Sequence, residues 1–156
     1  MSSGMTSEIT SKSPDDTSRV GEQIGTNLGG GEILELIGDV GSGKTIFAGG
    51  LAAAVGSADQ VTSPTFTISR IYSGQGLEGH HFDFYRLQDP GLMRAELQES
   101  MADPEVVVVT EWSDVVADVL PPERLRIAFT PISETSRRLE ISAMDRLHAA
   151  CIGEMS

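Results

Sequence analysis

The feature that most constrains this chain is the segment 38–45, which reads Gly-Asp-Val-Gly-Ser-Gly-Lys-Thr. It matches the pattern G-x-x-x-x-G-K-[ST], in which glycines let the backbone curl until successive N–H groups converge on phosphate oxygens. A helix that begins at the lysine points the positive end of its dipole at the same anion. We therefore predict that this segment, called the phosphate loop below, binds a nucleotide phosphate.

The end of the phosphate loop carries its reactive side chains. Lys44 is expected to reach the β- and γ-phosphates, and the Thr45 hydroxyl to supply a magnesium ligand. The preceding residues are expected to form the phosphate cradle: Asp39, Val40, Gly41, Ser42 and Gly43. The flanking sequence fits this prediction, because an apolar strand precedes the loop at residues 33–37 and helical sequence follows it, with Gly56 as the stop.

Two acidic residues are candidates for the metal and the nucleophile, which a phosphate loop also requires. Glu111 follows the apolar run 106–109, where a metal-binding carboxylate would emerge from a buried strand. Asp83 lies inside the segment 80–85, which reads HHFDFY. Spacing alone leaves two interpretations open for each residue: a contact with the metal, or a solvated carboxylate at a strand end.

The adjacent histidines, His80 and His81, suggest a metal site, but strand geometry excludes one that uses both. Neighbouring side chains on a strand point to opposite faces, so the two rings cannot ligate one ion. His81 shares a face with Asp83. For these two residues we expect a solvated pair at the surface.

The remaining pattern predicts one α/β domain over residues 13–143. Apolar residues recur every four positions on a short helix that Ser13 would cap, and alternation over 125–129 and 139–143 predicts a C-terminal β-hairpin with one solvated face. Residues 1–12 are polar and lack periodicity, which predicts a disordered leader. For the tail, 144–156, the sequence gives no structural prediction.

Charge and composition narrow the classes of function. With 11 Lys+Arg against 23 Asp+Glu, the net charge of −12 argues against a domain built to grip a nucleic-acid backbone, since such domains carry basic surfaces. The single cysteine, Cys151, excludes an internal disulfide and a cysteine-ligated zinc site. No apolar run approaches the roughly 18 residues of a membrane span. We expect a cytoplasmic protein without a membrane partner.

Four segments together resemble one known family, the bacterial TsaE proteins. They are the phosphate loop, SPTFT at 63–67, HFDFYRL at 81–87, and Glu111-Trp112. The resemblance runs from about Thr17 to Ala143. It implies a P-loop NTPase-like fold, with a mixed β-sheet flanked by helices, and a magnesium-dependent ATPase. It also implies work alongside the TsaB and TsaD proteins, whose shared product is threonylcarbamoyl on adenosine 37 of tRNAs that read ANN codons.

The resemblance also implies roles for individual residues. Lys44 and Thr45 would hold phosphate and magnesium. Glu111 would be the metal carboxylate, and Asp83 a second acid that acts on the metal or on the attacking water. Trp112 follows the acid, as it does in the family.

Two further positions are less well determined. Thr65 maps to a switch-like segment of the family, whereas its sequence alone favours a turn that enters a strand. Arg137 falls where the family carries an arginine near the nucleotide, but Arg138 competes for that place. The chain departs from the family at Ile46, where a second hydroxyl residue is frequent, and this departure weakens any two-hydroxyl magnesium site.

Other nucleotide-binding classes are alternatives. A GTPase is excluded, because its N/T-K-x-D motif needs a lysine and neither Lys12 nor Lys44 lies in one. A small-metabolite P-loop kinase is the main alternative, since a similar loop opens many such kinases. Kinases of this kind place arginines on a lid and over the acceptor, whereas Arg70, Arg86 and Arg94 are scattered. A nucleotide-gated binding module without turnover is the third possibility.

Overall fold

The structure, a computed structural model, describes residues 4–39, 41–56, 69–73, 77–84, 91–144, 147 and 151–152. The strands are β1 (Gly4–Ser11), β2 (Ile33–Ile37), β3 (Ser69–Ser73), β4 (Glu78–Asp83), β5 (Val106–Glu111), β6 (Leu125–Pro131) and β7 (Arg137–Met144). The helices are α1 (Pro14–Thr26), α2 (Lys44–Ala54), α3 (Gly91–Met101) and a 3-10 helix, η1 (Ser113–Val119). None of the helices within these ranges has the length and apolar character that crossing a membrane requires.

The described strands form one mixed sheet in the order β1-β7-β6-β2-β5-β4-β3. Its centre is parallel: β2 pairs with both β5 and β6, and β4 pairs with β5. Antiparallel pairs extend it at both sides, and the hairpin predicted near the C-terminus is present as β6–β7. Because the central strands are parallel, the phosphate loop after β2 and Glu111 at the end of β5 emerge at the same edge of the sheet.

Helices cover both faces of the sheet. On one face α1 and α2 pack against alternate residues of the central strands, among them Leu34, Val107 and Val109. On the other face α3 and η1 cover the intervening residues, among them Val106 and Val108. Strand β5 is therefore buried on both sides, which explains its continuous apolar sequence. This arrangement confirms the predicted α/β class and the mixed sheet.

Helix α1 fixes α2 through close backbone contact. A Cβ added at Gly21 would lie 2.2 Å from the Phe47 carbonyl oxygen, and one added at Gly50 would lie 2.0 Å from that of Ser18. Only glycine permits this approach. At the start of α1 the Ser13 hydroxyl accepts a hydrogen bond from the Asp16 amide at 3.1 Å, as the sequence predicts. The helix that begins with Lys44 is thus packed directly against the backbone of α1.

The N-terminal segment corrects one prediction. Within residues 1–12, expected to be a disordered leader, Gly4–Ser11 forms strand β1 and pairs antiparallel with β7, with Ile9 opposite Leu139. The strand is mostly exposed and lies at the sheet edge, where β7 supplies backbone partners and no apolar face is needed. Hydrophobic periodicity therefore cannot reveal it.

The described part of the tail packs on the core. Leu147, Cys151 and Ile152 belong to the apolar cluster beneath α1 and α2, and the Asn27 side-chain amide donates to the Cys151 carbonyl oxygen at 2.9 Å. Burial raises the pKa of the Cys151 thiol to about 11, so that this sulfur stays protonated. These contacts extend the folded domain beyond residue 143.

Candidate functional site

The phosphate loop joins β2 to α2 through glycines in unusual conformations. Gly41 and Gly43 have φ of 81° and 109°, in the left-handed region that other residues rarely adopt. Gly43 is also the N-cap of α2 and has no side chain with which to cap the helix. The N–H groups of the first turn are therefore oriented toward the space in front of the loop, where an anion can bind them.

Ser42 provides a second sign that this loop is built for a ligand. Its hydroxyl oxygen is buried, and it has no hydrogen-bond partner among the residues that the structure describes. A buried polar atom without a partner is uncommon in native proteins and calls for an explanation. A bound phosphate beside this loop would supply one.

Lys44 is folded back onto the protein. Its ammonium nitrogen donates to the Gly38 carbonyl oxygen at 2.6 Å and lies 3.4 Å from Glu111 Oε1. The same nitrogen stands 4.5 Å from the centre of the Trp112 ring, a cation–π contact. The ammonium group that we expect to bind phosphate is thus held at the mouth of the loop by a carboxylate, a carbonyl oxygen and an aromatic ring.

Glu111 is buried at the end of β5, with 3% of its surface exposed, which rules out the interpretation as a solvated carboxylate. Its Oε2 lies 2.6 Å from His81 Nε2, and its Oε1 faces Lys44. Burial acts to raise the pKa of Glu111, but the hydrogen bond and charge of His81, together with Lys44, outweigh it and hold the pKa below its ordinary value. The carboxylate is therefore ionised, as a metal ligand must be.

His81 corrects the prediction of a solvated pair with Asp83. The imidazole is 1% exposed, because β4 lies between β3 and β5 and its inner face is covered. Asp83 is partly exposed and stands directly opposite Glu111 in the β4–β5 register. The sequence showed that His81 and Asp83 share a face, but only the pairing of β4 with β5 shows that this face is the one that carries Glu111.

Arg137 and Arg138 have different positions. Arg137 donates from Nε to the Ser42 carbonyl oxygen at 3.0 Å and from Nη2 to that of Gly41 at 3.3 Å. Arg138 points away from the loop and pairs with Glu8 of β1 at 3.2 Å. Of the two candidates, Arg137 is therefore the one at the phosphate loop.

Trp112 has the backbone conformation that turns the chain from β5 into η1. Its φ of 54° and ψ of 45° lie in the left-handed region, which costs a non-glycine residue roughly 1–2 kcal/mol. In this conformation the indole ring of Trp112 lies against the Lys44 ammonium group. Beside it, a cavity of about 210 Å³ lies between the end of β2 and the start of η1, with Asp39, Asp114 and Arg126 in its wall.

A buried acid that the sequence analysis missed also lines this cavity. Glu35 of β2 is 5% exposed and accepts hydrogen bonds from the Arg124 and Arg126 guanidinium groups at 2.9 and 3.0 Å and from the Ser113 hydroxyl. Burial acts to raise the pKa of Glu35, and Ser113 and the two arginines more than offset it, so that the pKa is lowered. The only signal in the sequence was an acid inside an apolar strand.

The oxygen ligands that the chain offers near the loop suit magnesium better than a metal whose ligands all come from the protein. Magnesium is commonly held by one or two carboxylates, with phosphate oxygens and waters completing its octahedron. Thr45, Glu111 and Asp83 provide hydroxyl and carboxylate oxygens of that kind. In the described ranges no three His, Cys, Asp or Glu side chains gather into a metal cluster. Val40 and Thr65, also predicted at the site, lie outside the described residues.

A parallel-centred sheet with a glycine-rich loop between β2 and α2, facing a buried acid on the neighbouring strand, defines a protein of the P-loop NTPase-like class. The family model of the threonylcarbamoyl adenosine biosynthesis protein TsaE matches residues 11–139. The chain belongs to the TsaE family. The resemblance drawn from the sequence motifs is thereby confirmed.

Individual relatives are similar in sequence to this chain over most of their length. The tRNA threonylcarbamoyladenosine biosynthesis protein TsaE of Bacillus subtilis is 32% identical over 92% of this chain and 89% of its own. The protein of that name from Treponema pallidum is 34% identical over 85% of this chain and 97% of its own. A crystal structure of Bacillus subtilis YdiB has a similar fold, with a TM-score of 0.75 over 97% of this chain and 95% of that one at 24% identity.

Proposed function

We propose that this protein is a magnesium-dependent ATPase that serves threonylcarbamoylation of adenosine 37 in tRNAs that read ANN codons, in concert with TsaB and TsaD. Membership of the TsaE family supports the pathway. The observation that carries the nucleotide chemistry is the meeting of Lys44 with the buried, ionised Glu111 at the mouth of the phosphate loop. Two opposite charges held there match the needs of a phosphate–magnesium pair.

The loop residues divide the work of binding. The backbone N–H groups of residues 39–45 would surround the β-phosphate, and Lys44 would turn from Glu111 to the β- and γ-phosphates. Thr45 and Glu111 would hold magnesium, which would neutralise the charge that develops on the phosphates. Arg137 would keep the loop in shape through its bonds to the Gly41 and Ser42 carbonyl oxygens.

The remaining predicted residues would act on the chemical step. Asp83, in register with Glu111, would orient the attacking water directly or through the metal. Thr65 would respond to the γ-phosphate from its switch-like segment. The N–H groups of Arg137 donate to backbone carbonyl oxygens in the loop and near Ser133, so stabilisation of the transferring phosphoryl group would come from a partner.

The charge of the chain supports a dependence on partners. A net charge of −12 repels tRNA, whose binding depends largely on neutralising phosphates, and is better suited to a basic protein surface. We expect the isolated chain to hydrolyse ATP slowly and to bind tRNA weakly, with both activities appearing in the complex with TsaB and TsaD. Fast turnover by the chain alone, or tight salt-sensitive binding of tRNA by it, would contradict this expectation.

One reconstitution tests the proposal. The chain is mixed with TsaB, TsaD, magnesium-ATP, the threonylcarbamoyl precursor and unmodified tRNA, and the modified adenosine is quantified after nuclease digestion. We expect product with the wild-type chain and with Arg94→Ala, which removes a cation of α3 paired with Asp118, and none with Lys44→Ala. Phosphoryl transfer to a metabolite from a panel, with no modified tRNA, would instead establish the kinase alternative.

A further inference from the structure

Two side chains contact the Glu111 carboxylate, one at each oxygen, and the two distances differ. Its Oε2 lies 2.6 Å from His81 Nε2, and its Oε1 lies 3.4 Å from Lys44 Nζ. The His81 side chain is 1% exposed and that of Glu111 is 4% exposed, so water does not compete for their contact. An ionised carboxylate only accepts hydrogen bonds, and His81 Nε2 is therefore the donor.

The two partners of Glu111 behave differently once a nucleotide is bound. Lys44 lies on the phosphate loop and would leave Oε1 for the β- and γ-phosphates. His81 projects from β4, an inner strand of the sheet, and cannot follow. After the lysine departs, Oε1 faces the loop while Oε2 remains tied to the imidazole. The carboxylate is then held in one orientation with one oxygen available.

We propose that His81 is a positioning residue for magnesium, which fixes the Glu111 carboxylate so that Oε1 is presented to the metal beside the phosphate loop. Because it needs Glu111 as the magnesium ligand, this inference rests on the proposed function. Groups that hydrogen-bond to a ligating carboxylate commonly change metal affinity or activity by about ten- to a hundredfold when they are removed. We expect an effect of that size at His81.

A purely structural role for His81 predicts a different result. In that case the imidazole only offsets the burial of Glu111, and its loss would lower stability without changing magnesium affinity. His80 offers a matched control, because it is the neighbouring residue on the opposite face of β4. It contacts the Ser100 hydroxyl at 2.7 Å and Glu78 at 3.2 Å and links the strand to α3.

The test is a magnesium titration of the full-length chain at saturating ADP, followed by tryptophan fluorescence. The chain has one tryptophan, Trp112, which adjoins Glu111 and stacks on Lys44. Two amide variants form the central pair. In His81→Gln the amide nitrogen can take the place of Nε2, whereas in His81→Asn it is too short to reach Glu111.

We expect His81→Asn to raise the half-saturating magnesium concentration by about ten- to a hundredfold, and His81→Gln to stay within about threefold of wild type. His80→Asn should leave it unchanged. Thermal unfolding of each variant identifies any that does not fold; if His81→Asn does not, His81→Leu takes its place, because leucine also lacks a donor for Glu111. Equal titrations for His81→Asn and wild type, or equal shifts for the Asn and Gln variants, would overturn the inference.

Glu111→Gln separates this inference from the function on which it rests. If Glu111→Gln titrates like wild type, the metal assignment in the proposed function is wrong. If Glu111→Gln shifts the titration and His81→Asn does not, only the positioning role is wrong. If both shift, the double variant should show less than the sum of the two effects, because the histidine acts through the carboxylate.

Discussion

Two buried glutamates stand one register step apart on neighbouring strands and have opposite surroundings. Leu36 of β2 lies opposite Glu111 of β5, so Glu35 precedes that level by one residue and faces the other side of the sheet. Both are almost fully buried, and both have a lowered pKa despite burial. Burial and charge alone therefore do not show which of them serves a site.

The partners of the two glutamates make the difference. Glu35 is bound by Arg126 of β6, by Arg124 just before that strand and by Ser113 at the start of η1, and none of the three belongs to the phosphate loop. Glu111 is bound by one fixed histidine and by Lys44, whose loop is shaped for phosphate. We therefore expect Glu35, whose partners keep their places, to stabilise the fold. We expect Glu111 to become free to bind a metal ion when Lys44 moves to a phosphate.

The largest expected effect comes from removing the movable cation. Lys44→Ala takes away the charge that, in the proposed function, would bind the β- and γ-phosphates, and should lower ATP turnover about a hundredfold or more and weaken nucleotide binding. Arg124→Ala removes a fixed cation from Glu35 instead, and should lower the free energy of unfolding while nucleotide affinity is kept. Turnover assays and ADP titrations of both variants check this. Unchanged turnover in Lys44→Ala would refute the phosphate-loop assignment.

The next effect compares the two carboxylates directly. Glu111→Gln keeps the shape and removes the charge, so magnesium affinity should fall about ten- to a hundredfold, together with a loss of stability because Lys44 and His81 lose a buried acceptor charge. Glu35→Gln should leave magnesium affinity intact and lower the free energy of unfolding by about 1–3 kcal/mol, since two arginines lose a buried acceptor charge. Magnesium titration and urea unfolding measure both quantities. The same profile in both variants would erase the distinction between the two sites.

The sequence predicted one of these glutamates and not the other, for a physical reason. Glu111 follows an apolar strand within a chain that carries a phosphate loop, and this local pattern has a known chemistry. Glu35 and His81 acquire their roles from strands far apart in sequence: Glu35 meets arginines near β6, and His81 meets Glu111 across the β4–β5 pairing. Local hydrophobic periodicity does not show which strands pair or in what register.

Elements with strong local signals were predicted correctly. The Ser13 cap, the helix after the phosphate loop and the β6–β7 hairpin each depend on a few neighbouring residues. Strand β1 has no such signal, because it is mostly exposed and the strand it pairs with, β7, lies far away in the sequence.

A smaller effect is expected at Asp83, the neighbour of Glu111 in the register. If its carboxylate orients the attacking water, directly or through the metal, Asp83→Asn should slow hydrolysis roughly tenfold and leave ATP binding nearly intact. Single-turnover rates and nucleotide titrations separate the two quantities. Equal losses of binding and hydrolysis would make Asp83 part of the ground-state nucleotide site.

The smallest effect is the pH dependence of the free energy of unfolding that arises from Glu35 and Glu111. Both glutamates have a pKa below its ordinary value in the folded protein, so the unfolded chain binds their protons more readily. Their contribution is present above the ordinary carboxyl pKa of about 4.3 and is lost as pH falls through the lower folded value. Urea midpoints between neutral and acid pH should therefore fall less steeply in Glu35→Gln than in wild type. Glu99→Gln, at an exposed position on α3, should follow the wild-type curve, and a Glu35→Gln curve parallel to wild type would show that the Glu35 cluster adds nothing to acid sensitivity.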